Sequence, residues 1–363
     1  MSLRSYLLAV IALAAGVQLM SQYWYNTAPP GDPALGVSFS CRQTADLGLP
    51  CAASFERLVR DVGVRAVRLS VYWDQTEPQP GRFDFSQTDR LIAIGARYGV
   101  HFTLVVGVKG LGYPELYAPS WLPAAVRHPP TMADYTADPR LRDALLRYVR
   151  ATAQHYALNP WVEAWQVENE PYVVNVSEIH GWTVDPTAVD AEIALVRATD
   201  PLHRPVVVTH SAWTRMDVRW KTALAQADVL GEDVYLKKRI LSNFLYLYPY
   251  ELGPLTPNLP GQARLAAGEG KQFWITELQA EPSGWGDPLR RPGDRSRTIS
   301  PSLLRQYLDV ARRSGASRVY FWGAEWWLYQ AEVQHDPSML DAARQLFAAA
   351  PAPTPASKPS VAR

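Results

Sequence analysis

Two glutamates in this chain stand where a pair of carboxyl groups could do chemistry. Glu170 lies near the end of the run WVEAWQVENEP at 161–171, and Glu277 near the end of FWITEL at 273–278. Both runs are rich in apolar and β-branched residues, the composition of a buried strand, and each acid falls at the C-terminal end of its run. Acids so placed suit cleavage of a glycosidic bond, which needs two carboxyl groups flanking the scissile oxygen. In a parallel eight-stranded barrel catalytic groups project from the strand C-termini at one face, so the same two positions also suggest a scaffold.

The rest of the chain must supply strands in that order. Eight short β-branched runs do so, at 35–40, 66–71, 102–107, 162–167, 205–209, 229–235, 272–276 and 318–322. Between and after them lie helical stretches at 53–62, 85–98, 139–157, 186–198, 216–225, 262–270, 301–314 and 337–349. Such alternation reads as βα units around a parallel sheet. Asp138-Pro139, Asp185-Pro186, Ser300-Pro301 and Asp336-Pro337 each place a capping side chain before a proline at the first helical position. The segments 108–138, 236–260 and 278–299, which follow strands, are long and rich in Pro, Gly, Tyr or Arg. Long loops on one face are what a barrel with a built-up site produces. No GxGxxG follows the first strand, which argues against a doubly wound open sheet. The expected fold is α/β, a single-domain (β/α)8 TIM barrel over residues 31–350, with Glu170 on strand 4 and Glu277 on strand 7.

Composition narrows the partners. A net charge of +1 lacks the basic excess that phosphate recognition needs, so no nucleic acid is expected. There are 13 Trp and 18 Tyr but only 9 Phe; aromatics with polar handles suit stacking on sugar rings, which points to a carbohydrate partner. The chain is expected to act as a monomer. Arg4 precedes an apolar run over 6–20, the form of a secretory signal. If it is not cleaved, the segment around 5–25 would serve as a membrane anchor, so 1–30 reads as signal or anchor of an exported protein. Cys41 and Cys51 most simply form a disulfide in that setting, with two buried thiols as the alternative. No His or further Cys accompanies them at ligand spacing, so neither a metal nor another cofactor is expected. The Pro/Ala/Ser-rich stretch 351–363 reads as a disordered tail.

The run Val71-Tyr72-Trp73, followed by Glu77-Pro78 and PGRFDF at 80–85, resembles the segment after strand 2 in clan A retaining glycoside hydrolases. WQVENEP resembles the strand-4 motif of that clan, and FWITEL its strand-7 motif. The resemblance runs in order over about 35–347 and is nearest to families 5 and 39. It implies that Glu170 is general acid and then general base, and that Glu277 is the nucleophile, about 5–5.5 Å apart. It implies further that Arg68 orients the nucleophile, Tyr235 donates a hydrogen bond to it, Asn169 binds the sugar 2-hydroxyl and Trp322 forms an apolar floor. Trp73, Lys109 and His210 are candidate sugar contacts, as are Glu77, Trp213 and Glu325, although His210 also fits a structural histidine and Glu77 a loop support. Family 5 enzymes usually carry a His at the end of strand 3, where this chain has Val106-Gly107-Val108-Lys109; a lysine there would favour an anionic sugar. The expected activity is cleavage of β-glycosidic bonds in a poly- or oligosaccharide by double displacement. A transglycosylase would share the covalent intermediate, and a non-catalytic glycan-binding barrel would keep the cleft without turnover.

Overall fold

The computed structural model describes residues 4–13, 15–16, 30–174, 180–240, 245–247, 250, 255–283 and 296–352. Eight parallel strands close into a barrel in sequential order. They are β1 (Ala34–Phe39), β2 (Ala66–Ser70), β3 (His101–Val106), β4 (Val162–Val167), β5 (Val206–His210), β6 (Val229–Val234), β7 (Gln272–Gln279) and β8 (Arg318–Trp322). β8 closes on β1 with Ala34 beside Arg318 and Ser38 beside Trp322. The barrel helices are α1 (Cys51–Arg57, continued by a π turn over Leu58–Val62), α2 (Ser86–Ala96), α3 (Pro139–Tyr156), α4 (Pro186–Thr199), α5 (Trp220–Gln226), α6 (Leu259–Gly268), α7 (Pro301–Arg312) and α8 (Ser338–Ala349). The single-domain TIM barrel read from the sequence is the observed fold.

Local chemistry explains where several helices begin. The side chains of Asp138, Asp185 and Ser300 each accept a backbone N–H from the first turn of α3, α4 and α7, as the Asp-Pro and Ser-Pro pairs imply. At Asp336-Pro337 the helix starts one residue later, and Asp336 Oδ1 accepts from Ser338 N at 3.0 Å. Strand β7 runs to Gln279, three residues past the expected end, because it pairs with both β6 and β8 there. Glu277 therefore lies within the strand. A short two-stranded ribbon, Lys238–Ile240 with Leu245–Leu247, follows β6. An additional helix, Ala324–Glu332, follows β8.

Side-chain alternation divides the buried residues into two layers. Ala66, Ala164, Val207, Val229, Trp274 and Tyr320 form a cluster of their own in the barrel lumen. Their alternates, including Val67, Trp165, Val206, Val208, Leu230 and Ile275, join the larger core under the helices. Two steps along the lumen face from the first set stand Arg68, Gln166, Thr209, Gly231, Thr276 and Trp322, so one row of residues leads from an apolar plug to a polar layer. Glycine makes room in the lumen at Gly36, where a Cβ would stand 2.6 Å from the Ala66 carbonyl oxygen and 2.8 Å from the Tyr320 ring.

Cys41 and Cys51 are joined in a disulfide that ties the short helix after β1 to the start of α1, with Cα atoms 5.0 Å apart. The N-terminal segment is helical over 4–13 and 15–16, and its Leu7, Leu8, Val10, Ile11 and Leu13 side chains are exposed. Among the described residues no helix is long and apolar enough to cross a membrane. Residues 17–29, the later part of the expected signal or anchor segment, and 353–363 of the expected tail lie outside the described residues. Gly36→Ala is expected to cost about 1–3 kcal/mol through overpacking of the lumen, read as a lower urea midpoint; an unchanged midpoint would mean that the lumen has slack at this layer.

Candidate active site

The polar layer of the lumen is organised by one guanidinium. Arg68 has no solvent exposure and spends its donors on four side chains and a carbonyl. Its Nε donates to Gln166 Oε1 at 2.6 Å, and Nη1 donates to Glu277 Oε1 at 2.8 Å, Ser38 Oγ at 3.2 Å and the Thr276 carbonyl at 3.3 Å. Nη2 donates to Asn169 Oδ1 at 2.5 Å. The second oxygen of Glu277 accepts from the Tyr235 hydroxyl at 2.5 Å. Five of the residues singled out in the sequence, Arg68, Asn169, Glu170, Tyr235 and Glu277, thus fall in one cluster at the C-terminal ends of β2, β4, β6 and β7. With its oxygen held by Arg68, the Asn169 amide presents its N–H groups as donors.

Glu170 follows directly, its backbone N–H donating to Thr209 Oγ1 at 2.8 Å. Its side chain is half-buried, whereas Glu277 is buried. The two are close enough that the charge of Glu170 acts on Glu277. Burial pushes the Glu277 carboxyl up and Glu170 adds to this, while Arg68 and the Tyr235 hydroxyl pull it down. A third acid, Asp233 on β6, takes part. Burial and the charge of Glu277 push Asp233 well above the carboxylate range, and among the described residues its Oδ1 accepts only from Thr276 Oγ1, at 2.6 Å. On balance Glu277 is raised, but its charged and phenolic donors favour the carboxylate form, so of the two acids Asp233 is the one disposed to keep a proton.

Trp322 closes the floor. It is nearly buried and packs with Val105, Leu111 and Tyr235. Its indole lies close to Glu281, a half-buried acid that accepts from Gln43. Burial pushes Glu281 up to about 8. Glu325, fully buried with its Oε1 accepting from Ser40 N at 2.6 Å, is likewise pushed up to about 8. Glu281, Glu168 and Asp233 were not singled out by sequence; Glu168 lies two residues before Glu170, Glu281 four after Glu277, and Asp233 beside Glu277 on the neighbouring strand.

Four candidate sugar contacts, Trp73, Glu77, His210 and Lys109, are engaged by the protein's own groups. Trp73 is fully buried, stacks on Tyr148 of α3 at 5.5 Å and donates from Nε1 to Glu77 Oε2 at 2.7 Å. Glu77 also accepts from Gly81 N, and its carbonyl accepts from Trp121 Nε1, so this trio braces the loop after β2. His210 alternates with the lumen residue Thr209 and therefore faces outward, where Nε2 lies 3.4 Å from Asp217. Burial works against its charge, but Asp217 and Glu232 outweigh this and raise its pKa. Lys109 is buried too. Its Nζ donates to the Glu170 carbonyl at 2.7 Å and lies 3.6 Å from Glu115, which occupies the charge that an anionic sugar would need. Trp213, by contrast, is exposed.

Residues 53–183 match the Beta-galactosidase family model. This segment contains Arg68, Asn169 and Glu170 but not Tyr235 or Glu277. A beta-galactosidase from Bifidobacterium bifidum is 30% identical over 130 residues, covering 31% of this chain and 18% of that protein. Beta-galactosidase BgaB of a Geobacillus species is 28% identical over 138 residues, covering 34% of this chain and 19% of its own length. The chain thus spans about a fifth of the curated relatives it matches. A beta-galactosidase from Marinomonas ef1 superposes with a TM-score of 0.57 at 16% identity, covering 87% of this chain and 59% of that one. A GH5_18 protein from Streptomyces cattleya, solved in complex with GlcNAc, gives 0.58 at 14% identity, covering 90% and 83%. At these identities the solved structures establish the barrel.

Asp233 gives a stability prediction. Its folded pKa is raised, so the native state keeps a proton that the unfolded chain releases, and the resulting cost grows as pH rises above the ordinary carboxylate range. Asp233→Asn mimics the protonated acid and can still accept from Thr276. Its thermal midpoint should exceed the wild type's at about pH 8 and converge with it near about pH 4. A midpoint at the higher pH equal to or below the wild type's would contradict a protonated Asp233.

Proposed function

We propose that this chain is a retaining β-glycosidase with Glu277 as nucleophile and Glu170 as general acid and base. The observation that carries the reading is the treatment of Glu277: both its oxygens are held, one by the buried Arg68 and one by Tyr235, while Glu170 stands half-buried beside it. A carboxylate so gripped is charged and aimed, as attack on an anomeric carbon requires. Glu170 protonates the departing oxygen as Glu277 forms the glycosyl bond, then takes a proton from the water that releases the sugar. Asn169 donates to the hydroxyl next to the anomeric carbon, a contact that strengthens in the transition state, and Trp322 supports the ring from below.

The first substrates to test are β-galactosides, because the sequence match and both curated relatives reported above are to beta-galactosidases. Kinship nearest to families 5 and 39 is the finer proposal that the motifs suggest. The division into an N-terminal signal or anchor over 1–30, a barrel over 31–350 and a tail from 351 belongs to the same reading, as does the monomeric state. Export agrees with the Cys41–Cys51 disulfide, a bond that persists in oxidising compartments.

Hydrolysis of aryl β-galactosides, β-glucosides and β-mannosides by the wild type, Glu277→Gln and Glu170→Ala tests the assignment. Glu277→Gln should abolish turnover. Glu170→Ala should lose about 10²–10⁴-fold on substrates whose leaving group needs a proton, and azide should restore its rate with a β-glycosyl azide as product. Full activity in Glu277→Gln would overturn the proposal. Glycan binding by a wild type without turnover would instead favour the non-catalytic barrel.

A further inference from the structure

We propose that Glu168 is a positioning residue for the general acid and base: its buried carboxylate templates the turn that presents Glu170. The inference rests on the reading of Glu170 given above. Glu168 and Glu170 both adopt left-handed backbone conformations, φ 58° and 46°, which non-glycine residues hold only where their surroundings over-determine them. What determines them is the 106–109 segment after β3. Backbone bonds run from Glu168 N to the Val106 carbonyl at 2.7 Å and from Asn169 N to the Lys109 carbonyl at 3.0 Å. In the other direction, Val108 N and Lys109 N donate to the two oxygens of the Glu168 carboxylate at 2.8 and 2.6 Å. Lys109 Nζ then reaches past this pair to the Glu170 carbonyl at 2.7 Å.

The two turns therefore lock each other, and the lock has a shape requirement. Gly107 has φ 131°, and a Cβ there would fall 2.4 Å from the Glu168 carboxyl carbon. Glycine is what allows the carboxylate to enter. Behind it, on α4, lies Glu192, 1% exposed, whose carboxyl faces Glu168 and whose oxygens have no other hydrogen-bond partner among the described residues. Two adjacent carboxyls in such a place hold a proton between them. Two backbone donors and the nearby Lys109 favour the charge on Glu168, which leaves the proton on Glu192. Burial pushes Glu192 well up and Glu168 up to about 7, in keeping with a shared proton. Glu168 touches no reacting atom; it acts through the geometry of Glu170.

A positioning role has a signature that general destabilisation lacks. Departure of a dinitrophenolate needs no proton, whereas departure of a phenolate does, so misplacing the general acid should harm phenyl β-galactoside far more than dinitrophenyl β-galactoside. In Glu168→Gln, kcat/KM should fall about 30-fold or more on the phenyl substrate and less than about 3-fold on the dinitrophenyl one. Lys109→Met, which removes the bond to the Glu170 carbonyl, should show the same bias and decides the matter if Glu168→Gln does not fold. Equal losses on both substrates, or no loss, in the folded variant would overturn the proposal while Glu170→Ala retains its own bias. A wild type that hydrolyses neither substrate, or a Glu170→Ala variant that loses both equally, would overturn the acid and base assignment and this inference with it.

Discussion

A guanidinium sealed from water must find all its partners inside the protein, and the barrel is built so that Arg68 does. Stripping a cation of solvent costs several kcal/mol unless good hydrogen bonds replace the water. Here the replacements come from β1, β4, the turn after β4 and β7: Ser38, Gln166, Asn169, Thr276 and Glu277. Because these groups lie on different strands, their satisfaction depends on the register of the whole sheet. The small lumen residues Gly36 and Gly231 leave space for the large ones, and the apolar plug of Ala66, Val207, Trp274 and Tyr320 closes the barrel next to this polar layer. Arg68 thus converts a packing arrangement into the placement of one carboxylate and one amide.

The two site glutamates differ because their surroundings do. Glu277 is inside a strand, buried, and held at both oxygens; Asp233 next to it relieves the excess negative charge by keeping a proton. Glu170 is on a turn, half-buried, and fixed through its backbone, by Thr209 at the N–H and Lys109 at the carbonyl. Rigid placement of one group and backbone-only support of the other match the demands of a nucleophile and of a group that must both give and take a proton. The neighbouring acids Glu168, Glu192 and Glu232 face outward from the lumen, between strands and helices. They shape the rim and leave the cleft itself to Glu170, Glu277 and Glu281.

Much of this was legible in the chain because parallel barrel strands are buried on both faces and so read as continuous apolar runs. All eight strands appear where those runs predict; Glu277 falls within strand 7, and Glu170 on the turn three residues past the end of strand 4 rather than on the strand. Arg68, Asn169 and Tyr235 were placed by resemblance and are found together. What failed to read is tertiary. Trp73 is drawn under its loop by Tyr148, more than seventy positions away, and no local pattern announces that stack. His210 could have been set aside by alternation alone, since Thr209 beside it faces the lumen. Lys109 was read as a free charge because Glu115 lies across a loop whose path the sequence does not specify. Glu192 lies in the middle of a helix pattern, and nothing in its local spacing marks it as a buried acid.

The central claim is that Glu277 forms a bond to sugar. A β-galactoside fluorinated at the carbon next to the anomeric centre, with a good leaving group, slows both steps and lets the covalent intermediate accumulate. Incubation with the intact protein, followed by peptide mass mapping, should find the label on the peptide that contains Glu277, with loss of activity in proportion to labelling. A label on another carboxylate, or a product released with inverted anomeric configuration and no label at all, would contradict the account.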